Sequence, residues 1–536
     1  MTTSKTPIAI STGRLPSLMA AAATLLWATA ASAAAPGITG VTNTVGNVTT
    51  FALTAQPAYI TQPDGRMIYS WGYGCTTPPA AARFRPAAIT SGFCNTMQVP
   101  GPTLIVNEGQ TVRVTLTNNL PSAAGNTSIL FPGFNVTATG GVRGLLTMEA
   151  IPGGSVTYSF TASSPGTRAY YSGTQGDVQV EMGLYGAIIV LPATIPAACT
   201  SGLHASNLTA EAHWGESDFR LAAAAYDHPE TCYDREYLFQ FSEIDPSIHQ
   251  QADEQVAACG TTAGCRLRVA TEPYHPAYFM INGRSMPDDM DPNYAPQYPH
   301  QPYNGNPHMH PGELTLLRII GQGRWQHPFH EHGNHVRVLA RDGNLILTPP
   351  GANGTQLLAG PLLFTTTTTP GQAMDGIYYW TGKGLNWDPY GHNPKSSDTN
   401  AQLPCTPDAN GYNTGAPTAV NYFEWCQDHN KPLEAKPFGD VAGNGPATLP
   451  DPNLFANGPW YGGSPYLGPD ATTRAVGSTP IPPFGTVANS PTEEAGFSFM
   501  WHSHNEREIT TNNIFPGGML MMMLVDSREF VIDESM

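Results

Sequence analysis

Two short clusters of histidine carry the chemistry this chain could perform. The stretch His327-Pro328-Phe329-His330-Glu331-His332-Gly333-Asn334-His335 holds four imidazoles, and Trp501-His502-Ser503-His504 holds two more near the end of the chain. Each cluster contains a His-x-His pair, and alternate residues of a strand face the same side, so each pair can offer two rings to one volume. Imidazole is a borderline ligand that suits copper, zinc and iron. One lone histidine is better read as a hydrogen-bonded core or surface residue; two clustered pairs favour a metal. His330, His332, His502 and His504 are the prime candidates, with His327 and His335 beside them. Weaker candidates have plainer readings. Met519, Met521, Met522 and Met523 fit a closing strand that fills core gaps, His308-Met309-His310 precedes a Pro-Gly turn and reads as a solvated loop, and Asp288, Asp289 and Asp291 read as a solvated acidic turn.

The elements that must position these residues are strands. With 536 residues the chain exceeds one hydrophobic core. Only 12% of residues are charged, and Gly 55 with Pro 50 argue for short strands joined by many turns rather than long amphipathic helices. From Phe51 to Pro192 apolar and polar residues alternate in runs such as Thr111-Val112-Arg113-Val114-Thr115-Leu116, separated by turn formers, which predicts an antiparallel sandwich. A second set runs from Tyr237 through Leu314 to Ile320 and His335 to Leu339, and ends with Phe497 to Trp501 and Met519 to Val525. The expectation is an all-β protein of two tandem β-sandwiches over residues 36–200 and 201–536. The second carries a Pro-, Gly- and Asn-rich insertion at 384–490, for which a degenerate third domain is the alternative.

Residues 1–33 combine Lys5 and Arg14, an apolar run from Leu18 to Trp27 and Ala31-Ser32-Ala33, the order of a secretory signal peptide. The run is short for a membrane span, and no later segment qualifies. Export to the periplasm, the cell surface or the medium follows, and the eight cysteines then suggest up to four disulfides, with sequence order hinting that neighbours pair. The net charge of −17 opposes nucleic acid as a partner, since phosphate binding needs a clustered basic surface.

Several blocks together resemble the multicopper oxidases: GPTLIVNEGQTVRVTLTNNLP (Gly101 to Pro121), SPGTRAYYSG (Ser164 to Gly173), GLYGAIIV (Gly183 to Val190), HPFHEHGNHVRVLARDG (His327 to Gly343) and WHSHNEREITTNNIFPGGML near the end. The resemblance implies cupredoxin-like Greek-key domains. It also implies a mononuclear blue copper that takes electrons from a substrate, and a three-copper cluster that reduces dioxygen. By resemblance His327 matches a blue-copper ligand, and His330, His332, His502 and His504 match cluster ligands. Water, Glu331, His335 or His327 would complete the shell. This chain departs from the family where the first domain should supply two His-x-His pairs, reading Leu130-Phe131-Pro132-Gly133 and Tyr171-Ser172-Gly173 instead. Ser503 replaces the blue-copper cysteine, and Glu508 stands where its second histidine is expected. The expected function is therefore a copper-dependent oxidoreductase with a reduced site, taking electrons from a small reductant or metal ion. The alternative is a non-catalytic copper-binding or assembly protein. A homo-oligomer or partner subunit that completes the site is a further expectation.

Overall fold

The computed structural model describes residues 34–383 apart from 44 and 95, residues 406–427 and 496–535, and the backbone of three short strands, Gly463–Tyr466, Thr472–Thr473 and Val487–Ala488. The signal-peptide segment 1–33 and most of the insertion 384–490 lie outside the described residues.

Period-two alternation decides the first set of strands: β1 (Gly37–Thr39), β2 (Val48–Thr61), β3 (Met67–Cys75), β4 (Leu104–Asn107), β5 (Thr111–Asn118), β6 (Ser155–Thr161), β7 (Gly166–Tyr171) and β8 (Tyr185–Leu191). In β5 Val112, Val114 and Leu116 are buried, and they meet Phe160, Tyr158 and Val156 of β6 in register. One sheet runs β7-β8-β4-β1, with Phe84–Arg85 at its edge; the other is built on β2, β5 and β6, with β3 paired to β2. Strands β2 and β5 pair in parallel, as do β4 and β8, so the sheets are mixed rather than antiparallel throughout. Alternation along one strand is blind to its partner's direction, which is why the sequence did not reveal this.

The second set comprises β9 (Arg235–Ile244), β10 (Tyr278–Ile281), β11 (Leu314–Gly321), β12 (His327–Glu331), β13 (Val336–Arg341), β14 (Thr365–Thr368), β15 (Ala373–Tyr379), β16 (Gly496–Ser503) and β17 (Leu520–Asp526). One sheet is ordered β10-β9-β11-β15-β13. The other is β17-β16-β12-β14, with His308–Met309 on the outer side of β17. Between them Phe239, Phe241, Phe329, Trp501, Met519, Met521 and Met523 form a single apolar cluster, so those three methionines are core residues. Each buried side chain of this size contributes about 1.5–3 kcal/mol. The two sandwiches meet through Tyr185, whose hydroxyl donates to Ser242 Oγ at 2.7 Å, and through Asp375, which accepts from Thr167 Oγ1 at 2.6 Å and from Tyr226 at 2.5 Å.

Two helices of more than one turn depart from the strand pattern: α1 (Gly202–Trp214) and α2 (Pro246–Cys259). Helix α2 starts where Asp245 accepts from the Ser247 amide and Pro246 occupies the first turn, a good N-terminus that its weakly apolar sequence conceals. Disulfides join Cys75 to Cys94, Cys199 to Cys232 and Cys259 to Cys265; Cys426 is also disulfide-bonded, and no cysteine among the described residues is free. No helix among those residues is long and apolar enough to cross a membrane.

Candidate metal centre

Strand β12 lies antiparallel to β16 with His330 directly opposite His502, and the His504 amide donates to the Pro328 carbonyl at 2.8 Å just beyond. Paired residues project to the same side, and His332 and His504 follow two residues after their partners, so four rings share one volume. Ring centroids are 4.8 Å apart for His330–His332, 4.9 Å for His330–His504, 5.2 Å for His332–His502 and 5.6 Å for both His330–His502 and His502–His504. The Nε2 atoms of His332 and His502 are 3.2 Å apart.

Partners behind the rings hold several of them in place. His330 Nδ1 meets Thr365 Oγ1 at 2.7 Å, which leaves Nε2 as its inward nitrogen. His502 Nδ1 meets the Ser503 carbonyl at 2.8 Å, and His504 Nδ1 lies 3.5 Å from Glu506. The His332 carbonyl accepts from Trp501 Nε1 at 2.9 Å and from the Tyr378 hydroxyl at 3.1 Å, so the loop after β12 is pinned from two sides. Gly333 follows with φ of 97°, and a Cβ there would meet the Tyr378 oxygen at 2.2 Å, so no larger residue fits this turn. Burial lowers the His330 pKa to about 4, helped by the neighbouring His332, His502 and His504, and burial also lowers that of His502. Both rings are therefore neutral near pH 7, the form in which imidazole ligates. His504 keeps half its side chain in solvent, so the cluster has an open side.

His327 is held apart from this group. It is fully buried, with Nδ1 donating to Glu508 Oε2 and Nε2 to Glu243 Oε2, each at 2.9 Å. Burial acts to lower its pKa, but hydrogen bonds to the two carboxylates outweigh it and raise the pKa to about 9. The carboxylates are themselves saturated. Glu508 accepts from Ser503 Oγ and from Asn505 Nδ2, and Glu243 accepts from the backbone amides of Arg324 and Trp325 and from the Tyr274 hydroxyl. With both ring nitrogens donating, His327 has no lone pair for a metal. His335 also stands one layer out: its ring lies 5.1 Å from Phe364, which lies 5.8 Å from His330. Glu243 was not foreseen from sequence, because its partner is distant in the chain and it sits in an otherwise buried strand.

The multicopper oxidase family model matches residues 87–194, the stretch that holds β4 to β8 of the first sandwich. This stretch of the chain is similar to the multicopper oxidase family. Laccase abr2 of Aspergillus fumigatus is 38% identical over 98 residues, 18% of this chain and 16% of its own. Copper-containing nitrite reductase of Pseudomonas chlororaphis is 38% identical over 96 residues, 18% of this chain and 25% of its own. Both matches thus span a quarter or less of the relative. A solved blue copper oxidase from Nitrosomonas europaea aligns over 89% of this chain and 85% of its own at 14% identity, with a TM-score of 0.43.

The residues that the resemblance matches to a blue-copper site, Ser503, Glu508 and His327, form one hydrogen-bonded set with Glu243, and Met519 is buried in the core with its amide bonded to the Glu508 carbonyl. These residues do not fit that copper, since neither a thiolate nor an available imidazole is present. In the first sandwich Leu130 and Tyr171 pair through their backbones, and Ser172 Oγ donates to Gln179 Oε1 at 2.7 Å, so this corner is closed without imidazole. His308 and His310 are buried rather than solvated. His308 Nδ1 meets Asp526 at 2.7 Å, and His310 lies between the Asp526 carbonyl and Glu216, each 3.0 Å away. The acidic turn is not simply solvated either, because Asp289 is fully buried and the carbonyls of Asp288 and Asp291 accept from Arg284.

Proposed function

We propose that this is an exported copper protein in which His330, His332, His502 and His504 form one copper centre and in which no blue copper operates. The reading rests on the convergence of four imidazoles across β12 and β16, with outer partners that leave nitrogens facing inward. Ligands about 2.0–2.1 Å from one ion lie a little over 3 Å from each other, and the 3.2 Å between His332 and His502 suits such a pair. Among the described residues no three His, Cys, Asp or Glu side chains already stand in full ligating geometry. Four of the five ring pairs meet edge to face and His502–His504 is tilted, so binding one copper requires the side-chain torsions to turn the nitrogens to a common point.

Bound copper would supply one-electron redox chemistry. The protein's part is to keep His330 and His502 neutral by burial, to orient rings through Thr365, the Ser503 carbonyl and Glu506, and to leave an approach on the His504 side. With the blue-copper relay replaced, a small reductant or metal ion must deliver electrons at this centre directly. We take residues 36–200 and 201–536 as the two domains and residues 1–33 as the export signal. The test is dioxygen uptake with a small reductant by the copper-loaded protein, against the His330→Ala/His502→Ala variant. Uptake that is copper-dependent and absent in the variant supports an oxidoreductase. Tight copper binding without uptake favours the second reading, a copper carrier or assembly protein, for which the loss of the relay is the observation in favour.

A further inference from the structure

The outer face of the second sandwich carries a cavity that the histidine cluster does not account for. Along β13, Val336 and Val338 point into the core, so His335, Arg337 and Leu339 point outward. Arg337 pairs with Ile377 of β15, and Leu314 at the start of β11 pairs with Tyr379, which brings these outward residues together. The chain from Leu357 to Leu363 then folds back along β13, tied by the Val338 amide to the Pro361 carbonyl at 3.0 Å and by Arg337 Nη1 to the Gly360 carbonyl at 3.2 Å. Between this segment and the sheet lies a cavity of about 590 Å³.

Its walls have two characters. Leu339, Ile377, Leu357, Leu358 and Leu362 make an apolar slot, while Arg337, His335, Asn334 and Tyr379 line it with polar atoms. Glu230 also lines the cavity, exposed at its rim with Oε2 accepting from the Leu358 amide at 3.3 Å, whereas Arg337 is half-buried inside. Leu357, Leu362 and the adjacent Phe364 leave 54%, 55% and 52% of their surface in solvent at the mouth. Apolar side chains clustered around a concave opening with one inward cation are the arrangement that binds a small amphiphile.

We propose that this cavity binds a small aromatic anion, its ring in the leucine slot and its charged group at Arg337. The site stands independently of the copper reading, although Phe364 and His335 place it one aromatic layer from His330.

The test uses copper-free full-length mature protein and 8-anilinonaphthalene-1-sulfonate as fluorescent probe. One saturable site is expected, from which 1-naphthoate displaces the probe and neutral 1-naphthalenemethanol does so far less well. Arg337→Gln should weaken binding about tenfold, the loss expected for one charge-assisted contact. Leu362→Asp should weaken it several-fold, and because Leu362 is exposed the fold should persist, as checked by far-ultraviolet circular dichroism. Absence of saturable binding, binding that both variants leave unchanged, or equal displacement by the neutral compound would overturn the proposal.

Discussion

Replacing His327 with Gln is the sharpest probe of the clamp that Glu243 and Glu508 form around it. In the folded protein this imidazole is pinned between Glu243 and Glu508, fully buried, and its pKa rises from 6.5 to about 9. A raised pKa means the charged form stabilises the fold. That contribution is complete below about pH 6.5, declines between 6.5 and 9, and is gone above 9. At about 1.4 kcal/mol per pH unit the interval corresponds to about 3 kcal/mol. Removing the cation at pH 6 also leaves two buried carboxylates without it, a change that costs about 3–5 kcal/mol where it has been measured. His327→Gln should therefore lower unfolding free energy by about 3 kcal/mol at pH 6, and by little at pH 9.5, in urea titrations followed by tryptophan fluorescence. Copper content should not change, because neither nitrogen of His327 is free to ligate. A loss below 1 kcal/mol at pH 6, a loss that grows with pH, or a drop in bound copper would refute the reasoning.

Other outcomes follow from the same geometry. Saturation with Cu(II) should give no intense blue absorption, and Ser503→Cys alone should not create it, because His327 stays clamped and Glu508 stands in place of a ligand; a strong blue band in either protein contradicts this. Since burial holds the His330 pKa down to about 4, copper retention followed by equilibrium dialysis should persist from pH 7 to about 5 and fail towards pH 4, whereas loss centred at the ordinary imidazole value of about 6.5 would show the cluster to be solvated. Gly333→Ala should cost about 1–3 kcal/mol in thermal unfolding, because a Cβ at φ of 97° strains the backbone and strikes the Tyr378 hydroxyl; an unchanged melting temperature would mean the turn relaxes freely.

Much of the centre was legible because its geometry is local. The spacing of His330 and His332, and of His502 and His504, puts each pair on one face if the backbone is extended, and the patterning placed both pairs where strands meet loops, at the ends of β12 and β16. Their being neighbours came only with the family resemblance. What could not be read was the fate of single residues that depend on distant partners. His327 looks like its neighbours in sequence, yet Glu243 and Glu508 arrive from other strands and turn it into a clamp. His308 and His310 read as a solvated loop beside Pro311-Gly312, and only pairing with β17 buries them. Helix α2 escaped because its apolar face is thin and its stability rests on Ile248, His249 and Ala252 packing against the first sandwich. The order of the cysteines, by contrast, was informative, since the three bridges between described residues join sequence neighbours.

The central claim is that four imidazoles from β12 and β16 hold one copper, and electron paramagnetic resonance of the protein loaded with one equivalent of Cu(II) tests it most directly. The expected spectrum is that of a copper without thiolate character, with hyperfine structure from several nitrogens. In the His330→Ala/His502→Ala variant that signal should be replaced by that of loosely bound aqueous copper while circular dichroism stays unchanged. A nitrogen-coordinated signal that survives in the double variant, or no bound copper in the parent protein, would contradict the account.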